Sequence, residues 1–199
     1  GTVRNTPEGM ELRAGPEFRN NAHHMVLWTK DSFRSDLKIE YEFTRLDAEN
    51  RAVNIIYIQA TGSGKGPYAT DLAEWAPLRE KPAMSIYFDH LHTYHISYAA
   101  FPQDYIRLRR YMPEQQGLDN TDILPEYKGV GMFGTGVANR FTIVKRGQEI
   151  ALRIANAEKE IFCHWRNDKF PPVEEGRIGL RLMFTRASRY KDFRVAVPG

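Results

Sequence analysis

The sequence predicts an all-β protein, a sandwich or barrel of antiparallel strands, on three observations. Short runs that alternate apolar and polar residues recur to the C-terminus. Clusters of Gly, Pro, Asn and Asp separate these runs, as turns require, and helical periodicity is scarce. A chain of 199 residues is long enough to bury a substantial core without cross-links, so one domain over residues 1–199 is expected.

Taken in order, "DLKIEYEFTR" is the first clear strand. Period-2 alternation puts Leu37, Ile39, Tyr41 and Phe43 on one face and Lys38, Glu40, Glu42 and Thr44 on the other. "AVNIIYIQAT" follows as a second strand, then a glycine-rich "GSGKGP" read as a mobile rim, then an irregular stretch containing Trp75. "SIYFDHLHTYHISYAAF" carries three of the six histidines and reads as strand, followed by "YIRLRRY". The Pro, Gly and Asp content from Met112 to about Gly136 predicts a long loop. "NRFTIVKRGQEIALRIA" is a hairpin turning at Arg146-Gly147, "EIFCHWR" is another strand, and "GRIGLRLMFTRASRYKDFRVAV" supplies the last pair.

Composition removes several function classes. The single cysteine, Cys163, has no disulfide partner and reads as a small buried hydrophobe rather than a reactive thiol. No apolar run approaches the ~20 residues that span a bilayer. Net charge is +3, with 19 Arg against 9 Lys spread along the chain. Scattered charge of that size is no nucleic-acid footprint, whereas arginine suits bidentate recognition of carboxylate or sulfate.

"HHMVLWTKDSFRSDLKIEYEF", "YHISYAA" with "IRLRR", "FTIVKRGQEIALRIA" and "GRIGLRLMFTRASRYKDFRV" resemble, in that order over roughly residues 20–197, the YesU-like family of concanavalin A-like lectin/glucanase-fold proteins. The family is associated with bacterial degradation of rhamnogalacturonan and related polysaccharides. The resemblance implies a jelly roll of two antiparallel sheets, carbohydrate on its concave face, and a secreted or periplasmic location. His90 and His92 stand where the family more often has Asp or Asn, so it says little about those two.

Strand alternation selects candidate site residues. If Ile56, Ile58 and Ala60 pack inward, Tyr57 and Gln59 project outward; the same logic projects His95, Arg107 and Arg109. Should these strands be neighbours, the five groups suit β-elimination of a uronic-acid polysaccharide. Gln59 with Arg107 or Arg109 would neutralise the carboxylate, His95 would take the C5 proton, and Tyr57 or Tyr94 would protonate the leaving oxygen.

His90, His92 and the loop residue Trp75 are expected at the rim, in contact with substrate, while Trp28 is expected in the core. Two further readings stay open: a non-catalytic carbohydrate-binding module, or a glycoside hydrolase built on Glu40 and Glu42. Neither a cofactor nor a metal is expected, because His90-x-His92 lacks a clear third ligand and His95 lies on the opposite side of an unbroken strand. The expected partner is a polysaccharide or oligosaccharide.

Overall fold

The computed structural model describes residues 1–198. Thirteen strands run in chain order as β1 (Thr2–Thr6), β2 (Gly9–Arg13), β3 (Met25–Arg34), β4 (Leu37–Arg45), β5 (Ala52–Gly62), β6 (Leu91–Phe101), β7 (Tyr105–Tyr111), β8 (Asp122–Tyr127), β9 (Ala138–Arg146), β10 (Glu149–Ala155), β11 (Glu160–Arg166), β12 (Glu175–Leu182) and β13 (Ala187–Ala196). Two antiparallel sheets result. The seven-stranded sheet has the order β1-β2-β13-β4-β9-β10-β11, and the six-stranded sheet β3-β12-β5-β6-β7-β8. This is one of the two all-β architectures, sandwich or barrel, that alternation predicts, and the jelly roll of two antiparallel sheets that the resemblance implies.

The inter-sheet core follows the alternation. Leu37, Ile39, Tyr41 and Phe43 of β4 face Ile56, Ile58, Tyr94, Ile96 and Tyr98 of the opposing sheet, all buried. Phe43 meets Tyr98 edge-on with ring centroids 5.0 Å apart, a geometry that suits the aromatic quadrupole. Cys163 is buried in this core, and burial pushes its thiol up to about 12, so it stays protonated. The β9–β10 hairpin turns at Gly147, whose φ of +54° favours glycine.

Three features of the sequence reading are corrected. "SIYF" is not strand: Met84–Phe88 is a short α-helix (α1), and β6 begins only at Leu91. The segment read as a long loop from Met112 contains β8, which pairs with β7. Ala60 does not point into the inter-sheet core with Ile56 and Ile58, because the register between β5 and β6 shifts between Ile58 and Thr61. Gln59 takes φ +55° at this bulge, and the alternation slips by one.

The bulge is fitted to Gly176 of β12. That glycine has φ +144°, and a Cβ there would collide with the backbone of Gln59 and Ala60. Gly176→Ala is therefore expected to lower the unfolding free energy by about 3 kcal/mol, from backbone strain and steric conflict together. Urea denaturation of the two proteins measures it; an unchanged midpoint would contradict this packing.

Candidate functional site

Pairing brings part of the predicted row together. Tyr57 stands opposite His95, and His95 opposite Arg109, across β5, β6 and β7; Ser97 stands opposite Arg107. These residues share the face of the six-stranded sheet that points away from the inter-sheet core. That face is covered. A second apolar cluster joins Ile55, Tyr57, Ala60 and Leu91 of the sheet to Leu72, Trp75 and Tyr87 of the segment between β5 and β6.

The covering segment, residues 63–90, folds as a 3-10 stretch at Leu72–Arg79 followed by α1. Asp71 caps the 3-10 stretch by accepting from the Ala73 N–H at 2.9 Å. Trp75 is fully buried there and donates its indole N–H to the Ala69 carbonyl at 2.7 Å. It is thus part of this second core and not an exposed sugar-stacking wall. Trp28 stacks on Tyr57 and Tyr87 with centroids 5.4 and 6.4 Å apart. Gly179, between Trp28 and Tyr57 across the strands, leaves room for that indole ring.

His95 is 3 % exposed. Its Nε2 meets the Ser97 hydroxyl at 2.6 Å, and its Nδ1 shares a short hydrogen bond with the Tyr111 hydroxyl. Burial, followed by the charges of Arg109, Arg181 and Arg107, holds its imidazole well below 6.5, so it is neutral. Tyr57 is also fully buried, and desolvation pushes its phenol up to about 12. Tyr57 lies beneath the 63–90 segment, stacked on Tyr87 with ring centroids 6.0 Å apart, whereas His95 is enclosed by Tyr57, Ser97 and Tyr111.

The remaining predicted residues disperse. Gln59 does not face the sheet surface: its amide nitrogen donates to the carbonyls of Phe33, Ser35 and Glu174 at 3.2, 2.9 and 3.1 Å, tying two loops together. Arg107 pairs with Glu126 at 2.6 Å, and Arg109 donates to the Leu118 carbonyl and the Thr121 hydroxyl at 2.9 and 2.8 Å. Arg109 also lies 3.3 Å from Asp122. Tyr94 points the other way, into the inter-sheet core, where its hydroxyl accepts from Asn167 at 2.8 Å; it is not in His95's surroundings. Glu40 and Glu42 lie on the outer face of the seven-stranded sheet, Glu40 paired with Lys38 at 3.0 Å and Glu42 opposite Lys191 and Arg140. They share no surface with His95.

His90 and His92 lie at the edge of the covered face. His90 stacks on Tyr68 with ring centroids 3.4 Å apart, and His92 Nε2 lies 3.5 Å from Glu114. Among the described residues no three His, Cys, Asp or Glu side chains cluster to hold a metal ion.

Three neighbouring concavities lie along residues 172–177. The largest, about 510 Å³, is lined by Ser35, Asp36, Lys145, Gly147, Gln148, Pro172 and Glu174. It shares Pro172 and Glu174 with a cleft of about 370 Å³ that adds Thr61, His92, Arg110, Val173 and Glu175. That cleft in turn shares Thr61 and Glu175 with one of about 230 Å³ containing Arg34, Asp71 and Arg177. The three are neighbouring clefts along residues 172–177, called the groove below. Its ionisable lining is balanced: Asp36, Glu174, Glu175 and Asp71 against Lys145, Arg110, Arg34 and Arg177.

Gln59 clamps the Ser35 and Glu174 walls of this groove, so its role is to hold two loops rather than to touch a ligand. Lys145 is 2 % exposed and reaches only the Ser35 carbonyl, at 3.4 Å. Burial lowers its pKa despite the neighbouring Asp36 and Glu174. Sequence alternation missed the groove because its lining comes from strand ends and loops, where no period applies.

No protein-family model matches the chain, and no curated protein does. Solved structures do. A Bacillus subtilis protein of unknown function with a galectin-like fold superposes with a TM-score of 0.67 at 16 % identity, over 97 % of this chain and 85 % of that one. The carbohydrate binding module CBM66 from Bacillus subtilis gives 0.57 at 14 % identity, over 99 % and 92 %. A legume lectin-like domain from Entamoeba histolytica gives 0.61 at 7 % identity, over 100 % and 88 %. The chain has the galectin and legume-lectin type of jelly roll.

Two buried imidazoles make stability depend on pH. His24, on the covered side, is held down to about 3 by burial and by Arg181, and His95 is held well below 6.5. The unfolded chain takes up protons on both below about 6.5 while the folded chain does not, so their contribution is complete above that pH and is lost as pH falls towards 3. Thermal unfolding between pH 7.5 and 4 should show the melting temperature falling, and His95→Asn should make the decline shallower. An equally steep decline in the variant would contradict a neutral, buried His95.

Proposed function

We propose that this chain binds carbohydrate in the groove along residues 172–177. The observation that carries the reading is the adjacency of three clefts that share lining residues and mix carboxylates, cations, hydroxyls and the Gln148 amide. A glycan is an extended chain of hydroxyl groups, each a donor and an acceptor, and a groove presenting both kinds of partner along its length matches that chemistry. Similarity to a carbohydrate binding module and to a lectin-like domain supports it as analogy of fold. The sequence resemblance to the YesU-like family points towards rhamnogalacturonan-type polysaccharides outside the cytoplasm.

A second reading is favoured by the row Tyr57, His95 and Arg109. A neutral imidazole beside a tyrosine and an arginine is the set that β-elimination of a uronic-acid glycan uses, and the chain would then be a polysaccharide lyase. It requires the side chains that enclose His95 to open, since the imidazole is buried. The hydrolase reading has less support, because none of the clefts forming the groove includes Glu40 or Glu42.

Affinity electrophoresis through gels containing neutral or acidic polysaccharides tests binding, and ultraviolet absorbance of the unsaturated product tests elimination. Retardation is expected in at least one gel, and Gln148→Ala combined with Glu174→Ala should weaken binding by about thirtyfold or more, as the loss of one charged and one neutral hydrogen bond, together at least about 2 kcal/mol, implies. Migration unaffected by every polysaccharide would overturn the reading. A rise in absorbance abolished by His95→Ala would establish the lyase instead.

A further inference from the structure

Burying a charge without a partner is costly, so interior arginines come with carboxylates or a full set of acceptors. Arg45 and Arg186 obey the rule. Both contact Asp47, at 3.0 Å each, and Arg186 also donates to the Ala52 and Ala99 carbonyls. Arg181 does not. It is 0 % exposed, and among the described residues no carboxylate pairs with it.

Arg181 stands on the covered face of β12, opposite Ile55 of β5 and Val26 of β3. Only Nη2 is engaged, with His24 Nδ1 and with the Pro82 carbonyl from the 63–90 segment. Nε and Nη1 have no partner. The guanidinium carbon lies 4.6 Å from the centre of the Tyr87 ring, whose face supplies part of the missing counter-charge. The Tyr57 and Tyr87 hydroxyls, both buried, lie close enough to Arg181 for the guanidinium to oppose the upward push of burial on their phenols, Tyr57 also feeling Tyr111, yet neither hydroxyl makes a well-formed hydrogen bond.

The pattern of free donors is specific. A guanidinium presents two edges that each offer two parallel N–H groups, Nε with Nη2 and Nη1 with Nη2. Since Nη2 belongs to both edges and the other two nitrogens are unpartnered, the Pro82 carbonyl fills one half of an edge whose other half is vacant. The Pro82 carbonyl oxygen, bonded to Nη2 alone, does not fill it. The two oxygens of a carboxylate do, in the bidentate geometry arginine favours.

We propose that Arg181 is the anchor for a sugar carboxylate, in a subsite that the protein's own 63–90 segment occupies with the Pro82 carbonyl. The Tyr57 hydroxyl lies beside the fork to bond the carboxylate or a neighbouring sugar hydroxyl. Access requires the 63–90 segment to lift, which carries Pro82 and Tyr87 away and exposes Leu72 and Trp75, so two charge-assisted hydrogen bonds and the sugar's own contacts must offset that loss. That the ligand is a sugar rests on the carbohydrate-binding reading above; that it is acidic rests on Arg181 alone. The charge-balanced groove and the unbalanced Arg181 are thereby separate sites with different preferences.

The probes are oligosaccharides of galacturonate, glucuronate, mannuronate and guluronate, each beside its carboxyl-reduced counterpart. Isothermal titration should show at least one acidic oligomer binding tenfold or more tightly than its reduced form. Arg181→Gln, its fold checked by circular dichroism, should erase that preference while leaving binding of neutral glycans in the groove unchanged. Should Arg181→Gln fail to fold, Arg181→Lys keeps the charge without the fork and should cut the preference at least threefold. In the unsubstituted protein, bound acidic oligomer should speed hydrogen exchange of amides within residues 63–90. Equal affinity for acidic and reduced oligomers, a preference that survives in both variants, or unchanged exchange in that segment would overturn the proposal. Neutral glycans bound under those outcomes would leave the groove reading standing, whereas no glycan bound at all would remove both.

Discussion

The six-stranded sheet carries apolar side chains on both faces, and most of the structure's particular features follow from that constraint. Ile56, Ile58 and Ile96 turn towards the other sheet while Ile55, Tyr57 and Leu91 turn away from it. A sheet that is apolar on both sides needs a cover on each. The seven-stranded sheet is one cover. The other is the chain's own 63–90 segment, which brings Leu72, Trp75 and Tyr87 and buries each completely. Full burial of such side chains contributes about 2 kcal/mol apiece, which holds a segment with little regular structure of its own against the sheet.

This arrangement explains why the polar residues of that face are unlike a solvated surface. Under a cover the local dielectric is low, so His95 and His24 stay neutral and Tyr57 and Tyr111 keep their protons. The same low dielectric makes charge compensation decisive. Asp47 supplies it for Arg45 and Arg186: burial would raise its pKa, yet Arg186, the Ala187 N–H and Arg45 together hold it below the ordinary range. Around Arg181 there are only phenols, imidazole, carbonyl and aromatic faces. Two neighbouring regions of one molecule thus treat the same residue type in opposite ways.

Much of the architecture was legible from residue order. In β4 as far as Phe43, and in β9 and β10, a period of two sorted buried from more exposed side chains, although Thr44, expected outside, is buried; Gly147 marked the turn between β9 and β10. The row Tyr57, His95, Arg109 could be drawn before the pairing was known. Alternation failed where the backbone departs from a regular strand. At Gln59 the bulge redirected one side chain from the sheet face to the Ser35 and Glu174 carbonyls, and moved Ala60 to the other cluster. "SIYFDH" carried aromatic residues that a strand favours, yet it folds as α1 because its apolar side chains serve the second core. Arg181 was visible as a lone cation within the apolar run "IGLRLMF", and counting by two from Gly179 places it beside Tyr57.

The sequence by itself determined the all-β class, the positions of most strands and the division of their side chains between two faces, because strand geometry alternates with a period that depends on no distant contact. Only the tertiary structure decided which face is open. Whether Tyr57 meets solvent or protein depends on where the following 63–90 segment docks, and that docking is governed by the shape of a non-local apolar surface. For the same reason the clefts along residues 172–177, whose other walls come from strands and loops distant in sequence, and the unpaired state of Arg181 became readable only once the two sheets and their cover were in place.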